Sequence, residues 1–181
     1  MMKHPFYQFH YCPKCGSSNF NIHNEKSKKC DHCGFVYYFN PCSATVAFIE
    51  NEQNELLVCK RAKDPAKGTL DLPGGFLDMF ETAEMGIARE VMEETKLQVT
   101  STEYLFSLPN TYIYSDFEVH TLDLFFKCKV ADTTQYQAMD DAAELYFLPL
   151  SKIHPELFGL HSISMGVKRY LKSKKEQKAE E

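Results

Sequence analysis

No apolar run in these 181 residues approaches the twenty or so needed to cross a bilayer. The polar, aromatic start has none of the features of a secretory signal. These two absences make the cytoplasm the default location and argue against both a membrane protein and a disulfide-stapled secreted one. There is no internal repeat, and no low-complexity segment apart from the polar tail. There is also no excess of positive charge. The net charge of -5 disfavours a general nucleic-acid binder, whose affinity rests on neutralising phosphates. What remains is a chain with 44% hydrophobic and 25% charged residues, long enough for one ordinary domain and a small module.

The most ordered pattern runs from Gly75 to Leu97. Ala83, Ile87 and Val91 recur at helical spacing and predict an apolar stripe. Glu90, Glu93 and Glu94 stand at i, i+3 and i+4, so a helix gathers their carboxylates on one face. Like charges at that spacing repel. A hard divalent cation relieves the crowding, because magnesium takes several oxygens in a tight octahedron and is often shared with substrate phosphates.

The full spacing is Gly75, five residues, Glu81, seven residues, Arg89-Glu90, an aliphatic, one residue, Glu93-Glu94, two residues, Leu97. This resembles the signature of the Nudix hydrolases, and Leu72-Pro73-Gly74-Gly75 resembles the approach to it. The departure is Lys96, where the family usually has glycine. That glycine sits just past the helix end, in a left-handed conformation that caps the last carbonyls. Either a lysine adopts it at a cost of roughly 1 kcal/mol, or the helix ends differently.

The resemblance implies a mixed sheet sandwiched between helices, an α/β fold. It implies hydrolysis of a pyrophosphate bond in a nucleoside diphosphate linked to another moiety, with Mg2+ or Mn2+. It makes Glu90, Glu93 and Glu94 the expected metal ligands, with the choice of general base among them open. Arg89 is expected to orient neighbouring glutamates, and Glu81 to partner Arg89. Many members draw a further acid from outside the box, and Asp141 and Glu144, just before the strand at Leu145, are the candidates; the plainer reading is a solvated acidic turn.

Cys12-Pro-Lys-Cys15-Gly and Cys30-Asp-His-Cys33-Gly form a second pattern, separated by fourteen residues. Two such pairs fit a four-thiolate structural zinc site, and the glycine after each suits the backbone of a tight knuckle. A thioredoxin-like redox pair needs a βαβ setting that the flanks do not offer. With Phe20 to His23 and Phe35 to Tyr38 as short strands, the segment resembles a zinc ribbon. A closed four-cysteine site leaves no position for substrate, and the metal supplies folding energy that about forty residues cannot find in a core. Lys14, Lys26, Lys28 and Lys29 read as a solvated face.

Elsewhere, Ser43 to Glu50 and Glu55 to Arg61 predict a hairpin. Lys60, Arg61, Lys63 and Lys67 either contact phosphate or form a solvated basic loop. Cys42, Cys59 and Cys128 read as small core residues. Val99 to Leu108 predicts a strand broken at Pro109-Asn110. In the segment 119–130, Leu122, Leu124, Phe126, Cys128 and Val130 share one face. Ser162 to Leu171 predicts a final helix.

The expected organisation is a zinc ribbon over 1–40, a Nudix domain over 41–172 and a polar, disordered tail over 173–181. A ribbon ahead of a Nudix domain resembles the NADH pyrophosphatases. Their further serine-, proline- and aromatic-rich motif is matched at Ser107 and Pro109 and departs afterwards, with Tyr112 and Tyr114 as candidates to stack on a base. The expected partner is therefore a small-molecule nucleotide, with dinucleotides such as NADH or NAD and ADP-ribose favoured; a homodimer is allowed, since dimers are common in the family. Two other classes stay open: a non-catalytic nucleotide sensor, and a ribbon-led RNA-binding or decapping protein.

Overall fold

The computed structural model describes residues 4–139 and 142–180, except for the side chains of Tyr112, Ala142, Ala143 and residues 178–180. The chain divides into two compact units, Met1–Pro41 and Cys42–Glu181.

The first unit is a three-stranded antiparallel sheet of β1 (Phe20–Asn24), β2 (Ser27–Cys30) and β3 (Val36–Tyr38), in that order. Its core is small: Cys12, Phe20 and Cys30 are buried, with Phe9, Cys33 and Phe35 packed against them. Strand β2 was not legible, because its Ser-Lys-Lys-Cys sequence has no apolar alternation. Nor is Lys28 solvated. It is 7% exposed, donates through Nζ to the Phe9 carbonyl at 2.6 Å, and lies 5.2 Å above the Phe20 ring. The long aliphatic stem fills the core while the ammonium finds a carbonyl.

The second unit holds β4 (Cys42–Ile49), β5 (Glu55–Arg61), β6 (Leu70–Asp71), α1 (Ala83–Thr95), β7 (Val99–Tyr114), β8 (Phe117–Val130), β9 (Ala142–Pro149) and α2 (His161–Glu180). They form two three-stranded sheets, β4-β8-β7 and β6-β5-β9. Strand β4 runs parallel to β8, and the other pairs are antiparallel. Alternate residues feed two cores. Val46, Phe48, Leu56, Val58 and Phe125 pack with Ile163, Val167 and Tyr170 of α2. Ala47, Ile49, Leu57, Phe126 and Cys128 pack with Ile87 and Val91 of α1. This is the expected α/β/α sandwich with a mixed sheet. The even face of β8 is as predicted, but its odd face is covered too, which is why Phe125 is fully buried.

Four expectations change. The predicted hairpin closes only at its turn, by a bridge between Glu50 and Leu56. Beyond it β4 and β5 part, because the segment Pro73–Leu77 takes the free edge of β4: Thr45 N–H donates to Gly75 O and Ala47 N–H to Pro73 O, each at 2.8 Å. Strand β7 does not break at Pro109, which pairs with Leu122. As the edge of its sheet, β7 tolerates a residue without an N–H. Cys42 is exposed, whereas Cys59 and Cys128 are buried as expected. Finally, α2 continues to Glu180 through the expected disordered tail, whose Lys, Glu, Gln and Ala are good helix formers aided by the Lys172–Glu176 pair at 3.6 Å.

Candidate active site and cysteine centre

Helix α1 carries the glutamates because its ends are well defined. Thr82 Oγ1 accepts from the Met85 N–H at 3.2 Å and caps the start. Lys96 caps the end in the left-handed region at φ 63°, its N–H donating to Met92 O. The lysine thus takes the conformation that the family glycine takes. Ile87 and Val91 face the core, which turns Arg89, Glu90 and Glu93 outward along a neighbouring face.

Arg89 is the hub. Its Nε and Nη2 grip both oxygens of Glu81 at 2.7 and 2.9 Å. Its Nη1 donates to Glu90 at 2.8 Å and to Glu93 at 3.0 Å, and Nη2 also reaches the Phe76 carbonyl at 2.9 Å. Such bidentate, charge-assisted bonds fix geometry as well as add energy. They hold the Glu81 carboxyl down at about 2. Glu90 moves the other way, since burial raises it more than Arg89 lowers it.

Glu94 points elsewhere. Its Oε2 accepts from the Gly74 N–H at 3.0 Å. The glycines are required at this point. At Gly74, φ is 150° and a Cβ would meet the Thr45 carbonyl at 2.0 Å; at Gly75 a Cβ would meet the Glu90 carboxylate at 2.6 Å. The absence of side chains lets the loop and α1 close together. Among the described residues the three glutamates do not present one converged set of oxygens; only the four cysteines do that. Repelling carboxylates have each turned to the nearest donor, Arg89 or the Gly74 amide.

Where β4 and β5 part there is a cleft of about 390 Å³. Gly74, Gly75, Phe76 and Glu94 line one side. Arg61 lines it too, its guanidinium engaged by Asp71 and, at 2.7 Å, by the Pro65 carbonyl. Tyr114 is at its rim, 66% exposed. Tyr112 is on β7, but its side chain lies outside the described residues, as does Asp141. Glu144 sits on β9 opposite Lys60, which it pairs with at 3.1 Å; this also removes Lys60 from the basic loop.

Asp71, Asn110, Thr121 and Asp123 also line the cleft. Sequence reasoning missed all four, since none belongs to a local motif. No local signal marks them: β8 also carries Glu118, His120, Lys127 and Lys129, so Asp123 reads as one more polar residue alternating with the apolar face.

In the first unit, Gly16 and Gly34 take φ of 73° and 72°, and their N–H groups donate back to Cys12 O and Cys30 O at 2.8 and 2.9 Å. The two knuckles bring the sulfur atoms of Cys12, Cys15, Cys30 and Cys33 within 4.8 Å of one another. No disulfide joins any of the seven cysteines. Four convergent sulfurs of this kind can hold a metal ion.

Comparison with known proteins agrees with this geometry. The family model of the NUDIX domain matches residues 40–165. The chain is 33% identical over 149 residues to an ADP-ribose pyrophosphatase of Methanocaldococcus jannaschii, covering 81% of this chain and 83% of that protein. It is 33% identical over 101 residues to the NAD-capped RNA hydrolase NudC of Vibrio vulnificus, where the match spans 55% of this chain and only 37% of the relative. A NUDIX hydrolase from Nitrosomonas europaea has a crystal structure that superposes with a TM-score of 0.70 at 25% identity, covering 90% of each chain. The chain belongs to the Nudix hydrolase family.

Proposed function

We propose that the protein hydrolyses the pyrophosphate bond of a nucleoside diphosphate linked to another moiety, with ADP-ribose and dinucleotides as the favoured substrates. The observation that carries this reading is the Arg89 web, which holds Glu81, Glu90 and Glu93 in fixed relation beside a cleft that Glu94 lines. A protein that only sensed nucleotides would have no use for this arrangement, and none of its members is lost. The likeness to an ADP-ribose pyrophosphatase over most of both chains supports the same substrate class.

Glu90, Glu93 and Glu94 are hard oxygen donors within two turns of α1, the donor type that Mg2+ or Mn2+ takes, and an ion there would draw together carboxylates now turned to Arg89 and the Gly74 amide. Such an ion, when bound, would supply phosphate neutralisation and acidify the attacking water. Arg89 keeps Glu90 and Glu93 from swinging into solvent, and Glu81 keeps Arg89 in place. The Gly74 N–H fixes Glu94. The backbone at Gly74 and Gly75 leaves the approach open on the cleft side. Arg61 and Tyr114, which line the cleft, are the residues assigned to contact the rest of the substrate.

For the cysteine centre we propose zinc. Four sulfurs on a tetrahedron of ~2.3 Å bonds stand about 3.8 Å apart; Cys15–Cys30 and Cys12–Cys33 are separated by 3.7 and 3.8 Å.

The test is hydrolysis of a panel comprising ADP-ribose, NAD, NADH, FAD, diadenosine polyphosphates, nucleoside triphosphates and NAD-capped RNA, with Mg2+ or Mn2+. Metal-dependent release of a nucleoside monophosphate, reduced ~100-fold or more in Glu93→Gln and Glu94→Gln, is the expected result. Nucleotide binding without turnover anywhere on the panel would move the assignment to a sensor.

A further inference from the structure

We propose that Asp123 sets the specificity of the cleft: it accepts hydrogen bonds from donor groups on the nucleoside part of the substrate and turns away an anionic group at that end. This rests on the functional reading above and extends it to the part of the cleft away from the glutamates.

Asp123 is 5% exposed and lines the cleft. Its two oxygens accept from Thr121 Oγ1 and Ser162 Oγ, each at 2.5 Å. Among the described residues it has no cation partner. Asp71, the other buried carboxylate of the same cleft, is paired with Arg61. Burying a carboxylate without a cation is costly even when hydroxyls satisfy it, and an apolar residue on β8 would pack between sheet and helix at no such cost. Asp123 is held instead as a rigid acceptor. Thr121 shares its face of β8, and Ser162 lies in the first turn of α2, where the helix dipole favours negative charge.

The position follows from strand register. Phe76 bridges to Ala44, and Ala44 pairs with Asp123. Asp123 therefore lies two strand spacings, roughly 10 Å, from the glycine loop that meets Glu90 and Glu94. A substrate whose diphosphate lies against that loop extends a sugar or base toward Asp123.

The chemistry there is selective. A carboxylate offers about four acceptor sites and no donor. Two are used by the hydroxyls, and the rest are open to a sugar diol or an exocyclic amine. A phosphate at this point would set two anions together in a partly dry cleft. Asn110 on β7 adds an amide of either polarity, and Leu160 and Ile163 supply apolar wall.

The experiment compares ADP-ribose with ADP-ribose 2′-phosphate in the wild type and in Asp123→Asn, with a thermal melt to confirm folding. The wild type is expected to prefer ADP-ribose by ~30-fold or more in kcat/KM. In Asp123→Asn, KM for ADP-ribose rises ~10- to 100-fold, kcat stays within about threefold, and the preference collapses toward unity. An unchanged preference in the folded variant, or a loss confined to kcat, overturns the proposal. Should Asp123→Asn not fold, Ser162→Ala keeps the carboxylate and removes one hold; a rise in KM of about threefold or more supports the proposal and an unchanged KM overturns it. Calorimetric binding of both nucleotides separates the two levels of inference. Tight binding of ADP-ribose without turnover removes the hydrolase reading and leaves Asp123 testable by affinity. Equal affinity for both overturns the role of Asp123, and binding of neither overturns both readings.

Discussion

The two units of this chain solve the same problem with different means. In Met1–Pro41 the buried apolar cluster among the described residues is three residues, two of them cysteines that also converge on one another. In Cys42–Glu181 two apolar clusters of twelve and eight buried residues cover both faces of the sheets. The small unit has little apolar contact and sets four cysteines within reach of one another. The large unit has enough apolar contact to hold charged groups in costly positions: a guanidinium among three carboxylates, a buried Asp71–Arg61 pair, and Asp123 with two hydroxyls.

The sharpest way to break this comparison is to remove one thiolate. Metal binding to such sites is worth about 10 kcal/mol or more of folding. Cys30→Ser is expected to abolish amide-exchange protection in β1, β2 and β3 while protection in β4, β5 and β8 persists. Equal loss in both units would show that the large unit does not stand on its own core.

The next largest effect is expected at Arg89. Lysine keeps the charge but cannot grip Glu81 with two nitrogens while reaching Glu90 and Glu93. Arg89→Lys should lower kcat about 100-fold, because the carboxylates lose their fixed positions, with the melting temperature changed far less. A comparable fall in stability would mean that the web is structural.

A smaller effect follows from pH. Arg89 holds the Glu81 carboxyl at about 2, against an ordinary 4.5. A depressed carboxyl stabilises the fold above its unfolded value, and that contribution is lost as pH falls through the folded one. The gap in melting temperature between wild type and Glu81→Gln should therefore be full at neutral pH and shrink between 4.5 and 2. A gap that stays constant on acidification would show that Glu81 acts by packing rather than by charge.

The smallest effect is at Lys96, with φ of 63°. Lys96→Gly removes the strain of a left-handed lysine and should stabilise by about 1 kcal/mol, roughly 2–4 °C in Tm, without altering kcat.

Much of this was legible before folding. The cysteine knuckles, the helix from Ala83 and the glutamate face all depend on residues within a few positions of one another, whereas the left-handed end at Lys96 was one of two possibilities. Their geometry is set by helical pitch or by a single tight turn, and spacing reports it directly. Errors arose where a local signal was overruled by distant partners. Pro109 looked like a break but lies on an edge strand. The hairpin looked closed, but Pro73–Leu77 took one edge of it. Lys28 looked solvated, but a carbonyl nineteen residues away and an aromatic ring gave it a buried place.

The sequence by itself determined the family, the α/β class, the four thiolates and the acidic helix, because each is written in short-range spacing. Only the tertiary structure decided what surrounds the glutamates. The parallel pairing of β4 with β8 sets Asp123 in line with Ala44 and Phe76, and the packing of α2 brings Ser162 to it across 39 residues. Strand pairing and layer packing join residues that are far apart in the chain, and no local pattern records which of them will meet.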